Sequence, residues 1–311
     1  MTRRQLWRGV QVMAVFAVLF YVGRRIASQW GELAALPATI SVDWPAVLGS
    51  AAVVLASYVV LIWTWQRTVQ AWGERLSFRD ASRIWFVSNL GRYVPGKVWQ
   101  IGAMGVLAQR VGVSPVAAVG SSLVISVVNV LAGVAVVAAC GAGAMGEPAW
   151  TIPIVVVLTL GVVATPWLTP YVGRAASMVL RRDIRIPALP HSSIWTAAAG
   201  CTVAWLLYGL AFRLLHISLL GYPTGDLARS TAAFAGSYIA GFLALFTPGG
   251  LGVREDILQR LLPQLEIASG AEAWLVVLAS RAWLTILEVI PGLLYLMFAR
   301  RSANPSSATT E

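Results

Sequence analysis

Three pairs of charged residues stand inside or at the edge of apolar runs: Arg92 with Lys97, Arg254 with Glu255, and Arg281 with Glu288. A guanidinium matches the oxygens of a phosphate as a two-pronged fork, and a lysine ammonium acts as a point charge. The carboxylates would hold those cations or couple to an ion. The set therefore points to binding of an anionic, phosphate-bearing group. An ionisable side chain at bilayer depth costs several kcal/mol unless paired or hydrated, so each is a functional candidate.

Two breaks in the apolar pattern position these charges. Residues 247–256 read Thr-Pro-Gly-Gly-Leu-Gly-Val-Arg-Glu-Asp and follow a long apolar run, 228–246. Pro248 has no N–H, and Gly249 and Gly250 favour a sharp turn, so a helix cannot continue through them. Residues 91–100, Gly-Arg-Tyr-Val-Pro-Gly-Lys-Val-Trp-Gln, repeat the device around Pro95 and Gly96. Backbone broken at membrane depth is tolerated only inside protein or beside a water-filled cavity. Both stretches read as tips of re-entrant hairpins, with the working site between them.

The scaffold follows from composition. Of 311 residues, 58% are hydrophobic and 12% charged, about half the charge of a soluble domain. The expected fold is an all-α polytopic membrane protein with about six spanning helices plus the two hairpins. The spans are expected near 9–22, 45–65, 115–140, 151–170, 194–220 and 271–298, and the hairpins near 81–114 and 227–270. Basic links at the N-terminus, 66–80, 171–193 and 300–301 place both termini in the cytoplasm of a multi-pass cell-membrane protein. The half-repeats, about 1–140 and 151–300, then start on opposite sides, as an inverted repeat with its site near the midplane. Pro95 lies 34 residues before Asn129, and Pro248 lies 40 before Glu288, a weak echo of that repeat. Residues 1–300 form one transmembrane domain, and 301–311 read as a disordered cytoplasmic tail.

Other side chains have plainer readings. Arg254, Glu255 and Asp256 would equally suit a structural charge cluster at a turn, and Arg92 and Lys97 could snorkel to headgroups. Arg281 and Glu288 share a helix face by seven-residue spacing, for an ion pair with each other or the hairpins, or for contact with substrate or a coupling ion. His216 reads as a satisfied interhelical histidine, and Asn129 as an interhelical hydrogen-bond former. Tryptophans such as Trp30, Trp44, Trp65, Trp150 and Trp274 read as an interfacial belt. Cys140 and Cys201 read as packing residues. No metal or cofactor site and no phosphate-binding nucleotide loop is expected. The net charge of +10 is spread over span ends, which argues for anionic lipid headgroups and against nucleic acid.

Pro95-Gly96-Lys97-Val98-Trp99-Gln100, with Ala108-Gln109-Arg110-Val111-Gly112-Val113-Ser114 after it, resembles the first signature of the lysylphosphatidylglycerol synthase transmembrane family, also called flippase-like. Residues 247–255 resemble the second signature closely, and Arg281, Glu288 and Pro291-Gly292 resemble the closing span. The likeness runs from about the second span to the end. Gln100 stands where many relatives carry a carboxylate. The resemblance implies a stand-alone member without the synthase domain, which moves or presents lipids such as aminoacyl-phospholipids or polyprenyl-linked sugars. The leading expectation is a lipid translocator, not an enzyme, that binds an anionic headgroup through Arg92, Lys97, Arg254 and Arg281, with Glu255 and Glu288 beside them. The alternatives are a membrane-embedded transferase acting on a lipid-linked sugar, with Glu255-Asp256 as base, and a non-transporting partner of a lipid-modifying synthase or glycosyltransferase. The oligomeric state is left open.

Overall fold

The computed structural model describes residues 42–93, 98–141, 189–244 and 247–302, with isolated positions at 24, 153, 156, 157, 160, 161 and 164. All regular structure among the described residues is helical. In chain order it comprises α1 (Trp44–Gln70), α2 (Phe78–Asn89), a 3₁₀ turn (Leu90–Tyr93), α3 (Val98–Arg110), α4 (Pro115–Gly141) and α5 (His191–Leu220). Then come α6 (Leu227–Leu243), a second 3₁₀ turn (Pro248–Gly250), α7 (Val253–Gln264) and α8 (Gly270–Ser302). Helices α1, α4, α5 and α8 are long and apolar enough to cross a membrane. The chain is thus all-α and has the build of a polytopic membrane protein.

Four such helices among the described residues fall short of the six expected. They match the expected spans near 45–65, 115–140, 194–220 and 271–298. The expected span at 9–22 lies outside the described residues, and only isolated positions of the one at 151–170 fall within them. Lys97, Pro95 and Gly96 also lie outside the described residues. The last helix runs on to Ser302, two residues into the expected tail.

Local chemistry explains where the helices start. Asp43 caps α1 by accepting from the Ala46 N–H at 3.2 Å. Ser77 caps α2: its hydroxyl accepts from the Asp80 N–H at 3.1 Å and donates to the Asp80 carboxylate at 2.6 Å. Asp226 caps α6 by accepting from the Arg229 N–H at 2.7 Å. Each such cap contributes about 1 kcal/mol. At its other end α5 stops at Gly221, whose φ of 76° terminates it in the left-handed conformation.

The order long, short, short, long occurs twice, as α1-α2-α3-α4 and as α5-α6-α7-α8. The short helices have 12, 13, 17 and 12 residues, below the ~20 that span a bilayer. Helix α1 packs along α5, and α6 packs against α4, α5 and α7. Trp65, Trp205, Phe212 and Phe234 are fully buried in this core. The two 3₁₀ turns, one from each half, touch each other. Leu90–Tyr93 and Pro248–Gly250, although about 155 residues apart in sequence, therefore meet at one place.

The tryptophan belt needs correction. Trp44 is 66% exposed, as an interfacial residue should be, but Trp65 and Trp274 are buried at 0% and 4%. Both sit in the helix interior because their large apolar rings fill space between helices, and the Trp65 indole N–H donates to the Ala118 carbonyl at 3.3 Å. Trp30 and Trp150 lie outside the described residues.

The packing of each turn against its neighbouring helix depends on glycine. Gly250 has φ of +74°, and a Cβ there would lie 2.8 Å from the Gly241 carbonyl oxygen. A Cβ on Gly91 would lie 2.8 Å from the Gln100 nitrogen. Both obstacles are backbone, which cannot swing aside. Gly250→Ala is expected to cost at least about 2 kcal/mol, from the left-handed penalty plus displacement of α6. Gly49→Ala, where no atom lies within 4 Å of the added Cβ, serves as the control. Thermal unfolding of the detergent-solubilised protein checks this: equal midpoints for the two variants would contradict it.

Candidate functional site

A cavity of about 380 Å³ lies where the turns meet, and Arg92, Arg254, Arg281 and Glu288 all line it. Helix α8 joins the two halves here. Its Glu288 accepts from Arg92 Nη1, just after α2, at 2.7 Å, and from the Tyr58 hydroxyl of α1 at 3.2 Å. Its Arg281 turns to the other half. Nη1 donates to the Gly249 carbonyl at 3.0 Å, and Nε lies 3.5 Å from Glu255 Oε1. The shared face of Arg281 and Glu288 thus serves two separate ion pairs, one to each broken helix pair, rather than one pair within α8.

Glu255 has a second task. Its other oxygen accepts from the Gly252 N–H at 2.6 Å and caps the first turn of α7, where a carboxylate also complements the helix dipole. Asp256 points elsewhere and pairs with Arg260 at 3.0 Å, one turn along. Arg254, Glu255 and Asp256 therefore do not form a self-contained cluster. Successive residues on a helix diverge by about 100°, so neighbours in sequence serve different walls.

Arg254 is the unusual member. It is 6% exposed, and its guanidinium carbon sits 5.1 Å from the Phe234 ring centre and 5.0 Å from that of Tyr238. Its Nη2 is buried with no hydrogen-bond partner, and among the described residues no carboxylate lies within ion-pair distance of Arg254. Cation–π contact supplies about 1–2 kcal/mol, well under the several kcal/mol that burying a cation costs. Among the described residues, Arg92, Arg254, Arg281 and Glu288 line the chamber and Glu255 stands behind Arg281, three guanidiniums to two carboxylates. A buried donor without an acceptor beside such a cavity is chemically suited to a monoanion. Phosphate oxygens match it best, since guanidinium donates to them in pairs.

No protein-family profile and no curated protein matches this chain. The site is therefore argued from its own geometry. Of the residues expected to bind, Arg92, Arg254, Glu255, Arg281 and Glu288 gather around one chamber, and Lys97 lies outside the described residues. Of the tip residues, Gly249 and Gly250 line it, and Pro248 opens the second 3₁₀ turn. Among the described residues no group of three His, Cys, Asp or Glu side chains could hold a metal ion.

Sequence reasoning missed the aromatic wall. Tyr58, Trp205, Tyr208 and Tyr238 line the chamber and touch one another as edge-on or stacked rings with centres 5.6–6.3 Å apart. The available signal was tyrosine in the middle of apolar runs, where a hydroxyl needs a partner. Gln100 also lines the chamber and donates to the Asn89 amide oxygen at 2.6 Å. The Asn129 expectation is corrected in one respect. Its backbone carbonyl makes the interhelical bond, accepting from the Trp205 indole N–H at 2.9 Å, while its side chain lines the chamber. His216 is fully buried, with Nε2 3.0 Å from the Ser230 hydroxyl, and does not line the chamber.

Proposed function

We propose that this chain is a lipid translocator, a flippase-like protein of the cell membrane with both termini in the cytoplasm. In this reading about six spans and two re-entrant hairpins form an inverted repeat, and the chain is a relative of the lysylphosphatidylglycerol synthase transmembrane family. Its cargo is a lipid with a phosphate headgroup, such as a polyprenyl-linked sugar. The observation that carries this is Arg254, a buried cation with an unpartnered donor, in the lining of the chamber where the two 3₁₀ turns meet.

The lipid half of the reading has its own support. Ile101, Leu123 and Phe242 line the chamber and are 41%, 43% and 40% exposed. An amphiphile would keep its phosphate by Arg254 while its tails leave through this apolar wall into hydrocarbon. The Arg92–Glu288 pair joins the two halves and is the contact that would break and reform as one half rocks against the other, while Arg281–Glu255 holds α8 to α7 within the second half. Lys97 would extend the cationic path.

The test is headgroup translocation by the purified protein in proteoliposomes, with a short-chain fluorescent phospholipid quenched from outside. Accelerated, protein-dependent movement supports the proposal. Formation of a modified lipid by the protein alone would favour a transferase. Absence of movement together with co-purification of a lipid-modifying synthase or glycosyltransferase would favour a non-transporting partner.

A further inference from the structure

Resting on the phosphate reading above, we infer that the chamber selects a lipid whose phosphate carries a neutral polyhydroxyl group, such as glycerol, inositol or a sugar, and rejects cationic aminoacyl headgroups. The inference rests on a polar stripe that the phosphate leaves unused. Helix α4 is the most apolar of the four long helices, yet Ser122, Ser126 and Asn129 all line the chamber. Their spacing of four and then three residues places them on one face. The Ser126 hydroxyl donates to the Ser122 carbonyl at 2.8 Å, which leaves its lone pairs open. Among the described residues, the Ser122 hydroxyl and the Asn129 side-chain amide have no hydrogen-bond partner. Together they offer donors and acceptors without charge, the complement of a hydroxyl group. Trp205 and Tyr238 stand in the same chamber and present flat apolar rings to the C–H face of a polyol.

Charge decides against a cationic headgroup. Among the described residues three guanidiniums line the chamber and one carboxylate does, Glu288, which already accepts from Arg92 and Tyr58. A lysyl ammonium would enter a field of its own sign with no uncommitted acid to meet it, and such like-charge juxtaposition is how binding sites refuse a ligand.

The experiment measures binding of dioctanoyl lipids to the detergent-solubilised full chain. The probes are phosphatidylinositol, phosphatidylglycerol, lysylphosphatidylglycerol and phosphatidic acid, which carries the phosphate alone. We expect the first two to bind at least about tenfold tighter than the lysyl lipid. Asn129→Leu is expected to weaken phosphatidylinositol about tenfold, the worth of one or two hydrogen bonds, and to leave phosphatidic acid within about twofold. Ser122→Ala, a smaller change, is expected to act in the same direction by about threefold. Equal binding of lysylphosphatidylglycerol and phosphatidylglycerol overturns the selectivity. Equal weakening of phosphatidic acid and phosphatidylinositol in both variants overturns the hydroxyl subsite while the phosphate reading stands. Failure of phosphatidic acid to bind the wild-type protein, or its unchanged binding to Arg254→Gln, overturns the phosphate reading itself.

Discussion

Glutamine at position 254 is expected to slow headgroup translocation about a hundredfold while leaving the unfolding free energy within about 1 kcal/mol of wild type. The asymmetry follows from what Arg254 touches. It holds no carboxylate among the described residues, so its removal orphans no buried charge. Its loss forfeits contact with Phe234 and Tyr238, which is offset by no longer burying an unpaired cation. A bound phosphate, by contrast, loses charge-assisted hydrogen bonds of about 1.5–3 kcal/mol each. Adding Arg281→Ala should abolish transport, because a second cation leaves the chamber. That double variant is also expected to be less stable, since Glu255 Oε1 then faces no cation at 3.5 Å. Rates from proteoliposomes and unfolding midpoints from the same preparations check the pair. Full activity in the double variant would defeat the assignment, and parallel loss of stability and rate in Arg254→Gln would make Arg254 a structural residue.

Alanine at position 288 should do the opposite and strike stability first. Glu288 is the acceptor for both Arg92 and Tyr58, and the two charged side chains are 23% and 8% exposed. Removing Glu288 takes the carboxylate from the half-buried Arg92 and the acceptor from Tyr58, at a cost of about 3 kcal/mol. The change also unties the first broken helix pair from α8, so transport falls with it. Replacing both partners, as Arg92→Leu with Glu288→Leu, removes both charges together and is expected to recover most of the stability but none of the transport. Chemical unfolding of the three proteins in detergent measures the coupling. A Glu288→Ala loss below about 1 kcal/mol would mean that the pair does not join the halves.

Much of this arrangement could be read from residue types and spacing. Pro248, Gly249 and Gly250 announce a helix break by chemistry alone, and a break in an apolar chain calls for a protein-lined cavity. The seven-residue interval between Arg281 and Glu288 fixed a common face, but spacing within one helix carries no information on which partners stand opposite. Only packing reveals that one reaches Glu255 and the other Arg92. Adjacency misled in the same way for Arg254 and Glu255, because neighbours on a helix look in different directions. Trp65 and Trp274 misled because a ring that suits an interface suits a tight core equally. Tyr58, Tyr208 and Tyr238 come from three different helices, α1, α5 and α6, so no pattern within one helix links them into a wall.

The central claim is that a phosphate-bearing lipid sits against Arg254 in the chamber. Native mass spectrometry of the protein, released gently from detergent, tests it most directly by weighing the lipid that stays bound. The account predicts a retained phosphate-bearing lipid on the wild-type chain that is missing from Arg254→Gln prepared in parallel. Retention of the same lipid by both proteins, or of none by the wild type, would contradict it.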